Sequence, residues 1–245
     1  MNIARTIVKS FLEAYMYAFG SRIAAHKLKH LADKSGNDIE QLVHLTFSFE
    51  YKPKVRESWV VSIKPLQVRT EVAELCRLVQ ELKPERIVEI GSASGGMLFL
   101  FGHVVNPEKI VSVDLPRGGF GGGYPFWEVP FFRSFGKRGV IQLIRADSHS
   151  EETLEKLKGH LNNSEVDFLF LDGDHTYQGV KQDFQMYSPL VRKGGIVAFH
   201  DIVTHDPTVG CEVDRFWNEV KQSYCYSEIV ESQNQKWAGI GVLYL

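Results

Sequence analysis

Hydrophobic and polar positions change their rhythm at about residue 66 of this chain. Up to about residue 60 the pattern predicts helices and loops, and "LQVRTEVAELCRLVQELKP" then has apolar residues at helical spacing up to Pro84. Beyond Pro84, short apolar runs alternate with helical stretches. The runs that predict strands are "RIVEI" (86–90), "KIVSVD" (109–114), "VIQLIRAD" (140–147), "VDFLFLD" (166–172) and "GGIVAFHD" (194–201).

Strands that alternate with helices in this way indicate parallel βαβ units. The predicted fold class is therefore α/β, with a doubly wound, Rossmann-like sheet. The end of the chain breaks the alternation, because "YCYSEIVES" and "NQKWAGIGVLYL" are two extended runs joined by a polar turn. We expect them to close the sheet as an antiparallel hairpin. The pattern divides the chain into an N-terminal helical extension (1–64) and a ligand-binding domain (65–245).

Composition and charge narrow the classes of function. The chain has 245 residues, 44% hydrophobic and 24% charged, as is usual for soluble globular proteins. A formal charge of -2 gives no sign of a nucleic-acid partner. Three cysteines without a CxxC pair favour a reducing compartment, and we expect a cytoplasmic protein. No segment has the roughly 18 apolar residues of a membrane span.

The first 22 residues, "MNIARTIVKSFLEAYMYAFGSR", predict an amphipathic helix with basic residues at both ends. We expect this helix to pack on its own domain or on a second subunit. A helix that lies in a membrane interface is the alternative.

Each predicted strand is followed by polar or flexible residues. The carboxyl ends of the strands form the ligand-binding edge of an open parallel sheet, so these residues are expected to share one cleft. They are Glu89 with the turn 91–96, Asp114, Asp147 with Ser148, the run 172–175, and His200 with Asp201. Four acidic strand ends along one edge indicate a binding site more strongly than one would.

The glycine turn and Asp114 predict an adenosine-containing ligand. Gly91 and Gly95 let the backbone approach a ligand, and an acidic residue about 20 positions later can bind both ribose hydroxyls. This pair alone does not separate a dinucleotide from another adenosine ligand. Glu89 favours S-adenosylmethionine, because a carboxylate can hold its ammonium group but would repel a pyrophosphate. The turn also lacks strict GxGxxG spacing, and the antiparallel ending suits a methyltransferase sheet.

The motifs together resemble those of class I S-adenosylmethionine-dependent methyltransferases. The matching segments are "VEIGSASGGM", "VSVDLP", "RADSH", "FLFLDGDHTYQGVKQDF" and "LVRKGGIVAFHDI". They are most similar to the branch of small-molecule and sugar O-methyltransferases that is grouped with cephalosporin hydroxylase-like proteins. The resemblance covers roughly residues 65 to 245 and implies a seven-stranded sheet whose last strand is antiparallel.

The resemblance also implies roles for individual residues in cofactor binding. The implied set is Glu89, Gly91, Ser92, Gly95, Asp114, Asp147, Ser148 and Asp172. Glu89 and the turn would contact the methionine part of the cofactor, and Asp114 the ribose. Asp147 and Ser148 would border the adenine, while Asp172 would lie near the sulfonium.

Many related O-methyltransferases hold a divalent cation at the ends of the fourth and fifth strands, where the cation favours deprotonation of the acceptor. The matching residues here are Asp172, His200 and Asp201. His200 departs from the all-oxygen set of the catechol O-methyltransferase pattern, and it favours manganese, iron or zinc over magnesium. The alternatives are that His200 supports the site or binds the substrate, and that the cofactor neutralises the carboxylates.

His175, three residues after Asp172, is the candidate general base, and we expect both residues to be catalytic. The alternative role for His175 is that of a residue at a helix N-terminus, with Asp174 or Thr176 as the cap.

The segment 117–138 is rich in glycine, aromatic residues and arginine. Tyr124, Phe126, Trp127, Phe131 and Phe132 could form a mobile lid over cofactor and substrate. An irregular loop packed on its own hydrophobic residues is the alternative. Arg117, Arg133 and Arg138 could recognise an anionic substrate.

The sequence thus predicts a homo-oligomeric enzyme that moves the methyl group of S-adenosylmethionine to a hydroxyl of a small molecule or saccharide. The helical extension would complete the acceptor pocket or form a dimer contact. One alternative is a nicotinamide-dependent oxidoreductase on a similar sheet. Another is a hydroxylase-like protein that binds a cofactor without transferring a methyl group.

Overall fold

The computed structural model describes residues 3–52, 60–118, 122–136, 139–232 and 234–245, and of residues 3–18 it describes the helical backbone only. The helices are α1 (Ile3–Ser35), α2 (Ile39–Ser48), α3 (Arg69–Leu82), α4 (Gly96–Val104), α5 (Val129–Phe132), α6 (Glu151–His160), α7 (Tyr177–Tyr187) and α8 (Val213–Val220). The strands are β1 (Glu50–Tyr51), β2 (Val61–Ser62), β3 (Arg86–Ile90), β4 (Lys109–Asp114), β5 (Ile141–Arg145), β6 (Val166–Leu171), β7 (Val191–His200), β8 (Cys225–Ile229) and β9 (Ile240–Tyr244).

Seven strands form one sheet in the order β5-β4-β3-β6-β7-β9-β8. The strands from β5 to β7 are parallel to their neighbours in this order. β9 is the last strand of the chain and runs antiparallel to both β7 and β8. The predicted fold class, the parallel units and the antiparallel hairpin are confirmed.

The central strands are mostly apolar and almost wholly buried because both faces of the sheet are covered. All six residues of β6 are buried, and the last four alternate between two hydrophobic cores. Phe168 and Phe170 lie in the core under α2, α3 and α4, whereas Leu169 and Leu171 lie in the core under α6, α7 and α8. A strand buried on both faces lacks the alternation of polar and apolar residues that marks a half-exposed strand.

The described part of the N-terminal extension packs on this sheet. Leu28 of α1, Leu42 of α2 and Ile63 after β2 are buried in the same core as Phe99 and Phe101 of α4. The described helices include none that is both long and apolar enough to cross a bilayer. The division at residue 64 and a dimer contact of α1 stay predictions.

In the segment 117–138, most of the described aromatic residues pack into the fold, in agreement with the second of the two predicted alternatives. Phe131, Phe132 and Phe135 are buried and contact one another through their rings. Tyr124 is also buried, while Phe126 keeps 63% of its surface exposed. Most of these aromatic side chains are therefore not available for a lid. Arg138 lies outside the described residues.

The order of the strands locates a crevice. From β3 the chain first builds the sheet on one side through β4 and β5, and then returns to the other side of β3 with β6. The carboxyl ends of β3 and β6 therefore border the point at which the strand order reverses, where open α/β sheets bind their ligands.

Candidate active site

A cavity of about 630 Å³ lies at this edge of the sheet. This volume is within the usual range for sites that bind small molecules and cofactors. The ends of five parallel strands contribute to its wall, which includes Ile90, Gly91, Ser92, Asp114, Asp147, Ser148, Asp172, His175, His200 and Asp201. The structure thus brings most of the predicted site residues into one cavity.

Gly91 is the first residue after β3, and its backbone contacts the end of β6. Its φ angle is +90°, and a Cβ atom at this position would lie 1.9 Å from the carbonyl oxygen of Asp172. The Gly91 N–H donates a 2.8 Å hydrogen bond to the carbonyl oxygen of Val113, at the end of β4. Only glycine fits between these two strand ends.

Asp114 organises the turn after Gly91. Its Oδ2 atom accepts 2.8 Å hydrogen bonds from the backbone N–H groups of both Ser92 and Ala93. Burial raises the pKa of this carboxyl, although these bonds, a bond from Gly123 and the charge of Arg145 lower it in part. Asp114 therefore has a structural role in the turn in addition to the ribose contact that the sequence predicts.

Two predicted cofactor residues lie behind the cavity wall. Glu89 is fully buried on β3, and burial raises its pKa to about 8, although the hydroxyls of Ser112 and Ser92 lower it in part. Gly95 has a φ of +79°, and a Cβ atom there would lie 2.9 Å from the ring of Phe132. Gly95 thus allows the turn to pack on the aromatic segment. Direct contact of either residue with a cofactor stays a prediction.

The side of the cavity that is predicted to bind adenine is stabilised by two residues, His149 and Asp183, that were not among the predicted site residues. His149 lines the cavity after Asp147 and Ser148, with Nε2 at 3.1 Å from the Gly179 carbonyl oxygen and 3.3 Å from Oδ1 of the buried Asp183. The contact with Asp183 raises the pKa of His149 to about 9, against the lowering effect of burial. The His149–Asp183 pair therefore ties the loop after β5 to α7.

The opposite side of the cavity holds the predicted metal ligands. Nδ1 of His200 lies 3.2 Å from Oδ1 of Asp172 and 3.1 Å from Oδ2 of Asp201. His200 is buried, and among the described residues neither of its ring nitrogens has a partner in hydrogen-bonding geometry. The three side chains offer ligand atoms that all lie within 4.8 Å of one another.

The charges of this cluster depend on one another. Burial raises the pKa of Asp172 and Asp201, but the nearby histidines outweigh it and hold both carboxyls below their usual range. Burial likewise lowers the pKa of His200, and the two carboxylates outweigh it and hold that pKa well above its usual value. The cluster is therefore an array of carboxylates compensated by imidazolium groups.

His175 belongs to the same cluster. Its Nδ1 lies 3.3 Å from Oδ2 of Asp201, and its Nε2 lies 3.6 Å from Oδ1 of Asp172. Burial lowers the pKa of His175, but contacts with Asp172, Cys211 and Asp201 raise it to about 10 overall. The helix α7 begins two residues later with Thr176 as its N-cap, which accepts a hydrogen bond from the Gly179 N–H. The predicted cap is confirmed, and His175 faces the cavity.

Several residues of the cavity were not predicted. Gln67 donates a 2.8 Å hydrogen bond from Nε2 to Oδ2 of Asp172, and His205 Nε2 lies 3.0 Å from Oδ1 of Asp201. Cys211 and Trp237 also line the cavity. They come from loops whose place in the fold has no short sequence signature, although the sequence does show that His205 follows β7.

Glu71 holds the loop that carries Trp237. The side-chain oxygens of this buried residue accept hydrogen bonds of 3.0 Å from the Glu231 N–H, 2.7 Å from Gln235 Nε2 and 3.0 Å from the Gly239 N–H. These bonds fix Glu231, Gln235 and Gly239 to the first turn of α3, and Trp237, between the last two, is held at the cavity wall.

The fold and the cavity define a class I methyltransferase architecture, and comparison with known proteins agrees with it. Residues 88–202 match the family model described as methyltransferase domain. This match covers slightly less than half of the chain, and it supports the resemblance to the class I enzymes that the sequence predicts.

Solved structures share this fold. The O-methyltransferase TomG from Streptomyces achromogenes, involved in tomaymycin synthesis and solved in complex with SAM, is 16% identical with a TM-score of 0.56 over 73% of this chain and 80% of that one. The O-methyltransferase from Bacillus cereus, solved in complex with SAH, is 16% identical with a TM-score of 0.52 over 84% and 90% of the two chains. At this identity the likeness concerns the fold.

A curated relative shares part of the sequence. An uncharacterized protein of Sinorhizobium fredii is 29% identical over 147 residues, which make up 58% of this chain. The match spans 16% of that protein's length, so the relative is much longer than the part it shares with this chain.

Proposed function

We propose that this chain transfers the methyl group of S-adenosylmethionine to a hydroxyl oxygen of a small molecule or saccharide. The observation that carries the proposal is the contact between Gly91 and Asp172. This contact places the glycine turn, which suits an adenosine cofactor, beside the cluster of Asp172, His175, His200 and Asp201, which contains the candidate general base. Methyl donor and acceptor would then meet in one cavity.

The cofactor would lie along the turn 91–96 and the ends of β4 and β5. Asp114 lies at the cavity wall with one oxygen engaged in the turn, and we assign the ribose to this carboxyl. Asp147 and Ser148 would border the adenine. The SAM and SAH complexes of the two solved O-methyltransferases support this choice of ligand.

Methyl transfer from a sulfonium to oxygen is an in-line displacement, so the protein must align the two partners and remove one proton. In this proposal the positive sulfonium of the cofactor offsets the charge of Asp172, so that His175 is neutral in the complex. The acceptor O–H gives its proton to this neutral imidazole, and the oxygen takes the methyl group as the carbon–sulfur bond breaks. S-adenosylhomocysteine leaves as a neutral sulfide. Asp172 and Asp201 flank the imidazole and would stabilise its protonated form.

Asp172, His200 and Asp201 fit a divalent cation. The buried His200 ring has Nδ1 close to two carboxylate oxygens, and none of the described residues satisfies this nitrogen in hydrogen-bonding geometry. A mixed set of one imidazole and two carboxylates suits manganese, iron or zinc better than magnesium. When bound, such a cation supplies positive charge that favours the deprotonated acceptor oxygen.

The acceptor would lie between this cluster and the wall that contains Trp237. Trp237 and Val209 are both half-exposed and line the cavity, so they offer apolar surface to an acceptor ring. The homo-oligomer, the cytoplasmic location and the lack of a nucleic-acid partner stay predictions from the sequence.

Isothermal titration of metal-stripped protein with S-adenosylmethionine tests the proposal, with and without Mn²⁺ or Mg²⁺. We expect binding that Asp114→Ala weakens strongly, and a change in heat or affinity with Mn²⁺ that His200→Ala removes. His160→Ala, at the end of α6 and outside the cavity, is the matched histidine control. Binding of a nicotinamide cofactor in place of S-adenosylmethionine would instead support the oxidoreductase alternative and overturn the proposal.

A further inference from the structure

We propose that His175, Asp201 and Cys211 form a second metal position, for a thiol-binding transition-metal ion such as zinc. This position adjoins the Asp172–His200–Asp201 position and shares Asp201 with it. The residues of the first position lie at the ends of β6 and β7, whereas Cys211 lies in the loop before α8.

The distances suit a small tetrahedral ion. The ligand atoms of His175, Asp201 and Cys211 all lie within 4.8 Å of one another. His175 Nδ1 and Asp201 Oδ2 are 3.3 Å apart. Ligands at zinc–nitrogen, zinc–oxygen and zinc–sulfur distances in a tetrahedral site lie about 3.3 to 3.8 Å from each other. Small side-chain adjustments are therefore enough to bring the three atoms around one ion.

The loops that carry the ligands are fixed to each other. The Glu212 N–H donates a 2.8 Å hydrogen bond to the carbonyl oxygen of His175, and Oε2 of Glu212 accepts a 3.2 Å bond from the Tyr177 N–H. Cys211 is the residue before Glu212, so its thiol is held beside the imidazole. It is partly buried and faces the cavity, which gives an ion access to it.

The two positions differ in the chemistry of their ligands. The first has one imidazole and two carboxylates, and the second exchanges one carboxylate for a thiolate. Thiolate ligands select zinc and similar metals over magnesium, calcium and manganese. Three protein ligands with an open fourth place are also the pattern of zinc sites that bind a further ligand.

Asp201 connects the two positions through its geometry. Its Oδ2 lies 3.1 Å from His200 Nδ1 and 3.3 Å from His175 Nδ1, so both imidazoles meet the same carboxylate oxygen. Its φ angle of +63° is unusual for a residue other than glycine. Such a backbone is retained where the surrounding structure holds it, as it does at many functional sites.

The second position has a consequence for catalysis that rests on the proposed function. An ion held by His175 occupies the imidazole lone pair that would accept the hydroxyl proton. Zinc should then inhibit a methyl transfer that manganese supports. Cys211→Ser should relieve this inhibition, because it removes the thiolate and leaves the first position intact.

Cobalt(II) titration of metal-stripped protein tests the second position without any need for turnover. A thiolate bound to Co²⁺ gives a charge-transfer band in the near ultraviolet, which imidazole and carboxylate ligands do not give. We expect this band in the wild-type chain and its loss in Cys211→Ser, with the affinity for Co²⁺ at this position at least about tenfold weaker, since one of three ligands is gone.

The chain provides matched controls. Cys225 is exposed and outside the cavity, so Cys225→Ser should keep the band, and Cys76 is buried in the core. Asp172→Asn should also keep it, because Asp172 belongs to the first position. Absence of the band from the wild type, or its loss in Cys225→Ser or Asp172→Asn, would overturn the proposal. A band without any binding of S-adenosylmethionine would refute the proposed function and leave the second position standing.

Discussion

Gly91 and Asp172 touch through their backbones across the reversal point of the sheet. A Cβ atom at Gly91 would lie 1.9 Å from the Asp172 carbonyl oxygen and 2.9 Å from Cα of Gly173. The glycine turn therefore sits directly against the strand end that carries the acidic and histidine cluster. The distance between the two halves of the site is fixed by main-chain packing, with no side chain between them.

Gly91→Ala should damage both stability and cofactor binding. The added Cβ overlaps the end of β6, so one of the two strand ends must move. We expect a loss of about 3 kcal/mol or more in the free energy of unfolding, a size typical of a buried steric clash. Affinity for S-adenosylmethionine should fall with it.

Gly139→Ala is the matched control for this variant. Gly139 has nearly the same φ, +88°, and no described atom lies within 4 Å of the Cβ position. Gly139→Ala should lower the free energy of unfolding only by the strain of the left-handed backbone conformation, about 1–2 kcal/mol. Urea unfolding of both variants compares the two effects. If both variants lost the same free energy of unfolding, the contact between Gly91 and Asp172 would not contribute to stability.

Asp114 should contribute both to the stability of the turn after Gly91 and to the affinity for S-adenosylmethionine, and two substitutions separate these effects. Asp114→Asn keeps an oxygen for the N–H groups of Ser92 and Ala93, so its free energy of unfolding should fall by less than about 1 kcal/mol. Asp114→Ala leaves two donors unpaired and should lose about 2–3 kcal/mol. Both variants should bind S-adenosylmethionine more weakly. If Asp114→Asn bound it normally, the assignment of the ribose would be wrong.

The His149–Asp183 pair should make stability depend on pH. The folded state raises the pKa of His149 from its usual 6.5 to about 9, so the folded chain holds the proton more tightly than the unfolded chain. This contribution is complete below pH 6.5 and disappears as the pH rises through 9. His149→Gln should therefore be less stable than the wild type at pH 6, by about 2 kcal/mol, and similar to it above pH 9.

Urea unfolding at a series of pH values measures this effect. His160→Gln serves as the control, because burial lowers the pKa of His160 and any pH dependence it causes lies below 6.5. A gap between wild type and His149→Gln that stays constant from pH 6 to 10 would show that the charge on His149 does not contribute.

Glu71 should matter far more to stability than other glutamates of α3. In the wild type, the two carboxylate oxygens of Glu71 accept hydrogen bonds from three donors. Glu71→Gln keeps only one side-chain oxygen, and its amide group would face one of the N–H donors. We expect a loss of about 2 kcal/mol or more. Glu74→Gln, three residues later in an exposed pair with Arg77, should change stability by less than about 0.5 kcal/mol. Trp237 fluorescence should report release of its loop in the Glu71 variant alone.

The strands of the central sheet could be predicted from the sequence because the local residue pattern and the burial of the strands in the fold agree there. Runs such as 86–90 and 109–114 became β3 and β4 with the same bounds, since a strand buried on both faces needs mainly apolar residues. The residues that follow such strands necessarily meet at one edge. This rule alone placed Gly91, Asp114, Asp172, His200 and Asp201 in one cavity.

The remaining site residues depend on contacts that no local pattern encodes. Gln67 reaches Asp172 across 105 positions of sequence, and Glu71 binds the Gly239 N–H across 168. Cys211 is at the site because Glu212 pairs with the backbone of His175. Phe131, Phe132 and Phe135 pack inward, in a segment that contacts α1 and α4, and the sequence did not reveal the position of these helices.

The place of β9 sets an order of events during synthesis. This strand lies between β7 and β8, yet it follows both of them in the chain. Until residues 240–244 have left the ribosome, β7 has an open edge and β8 has no neighbour, although β7 already carries His200 at its end. The nascent chain therefore exposes an apolar strand edge beside its future active site, and a chaperone would protect this edge from aggregation until β9 is added.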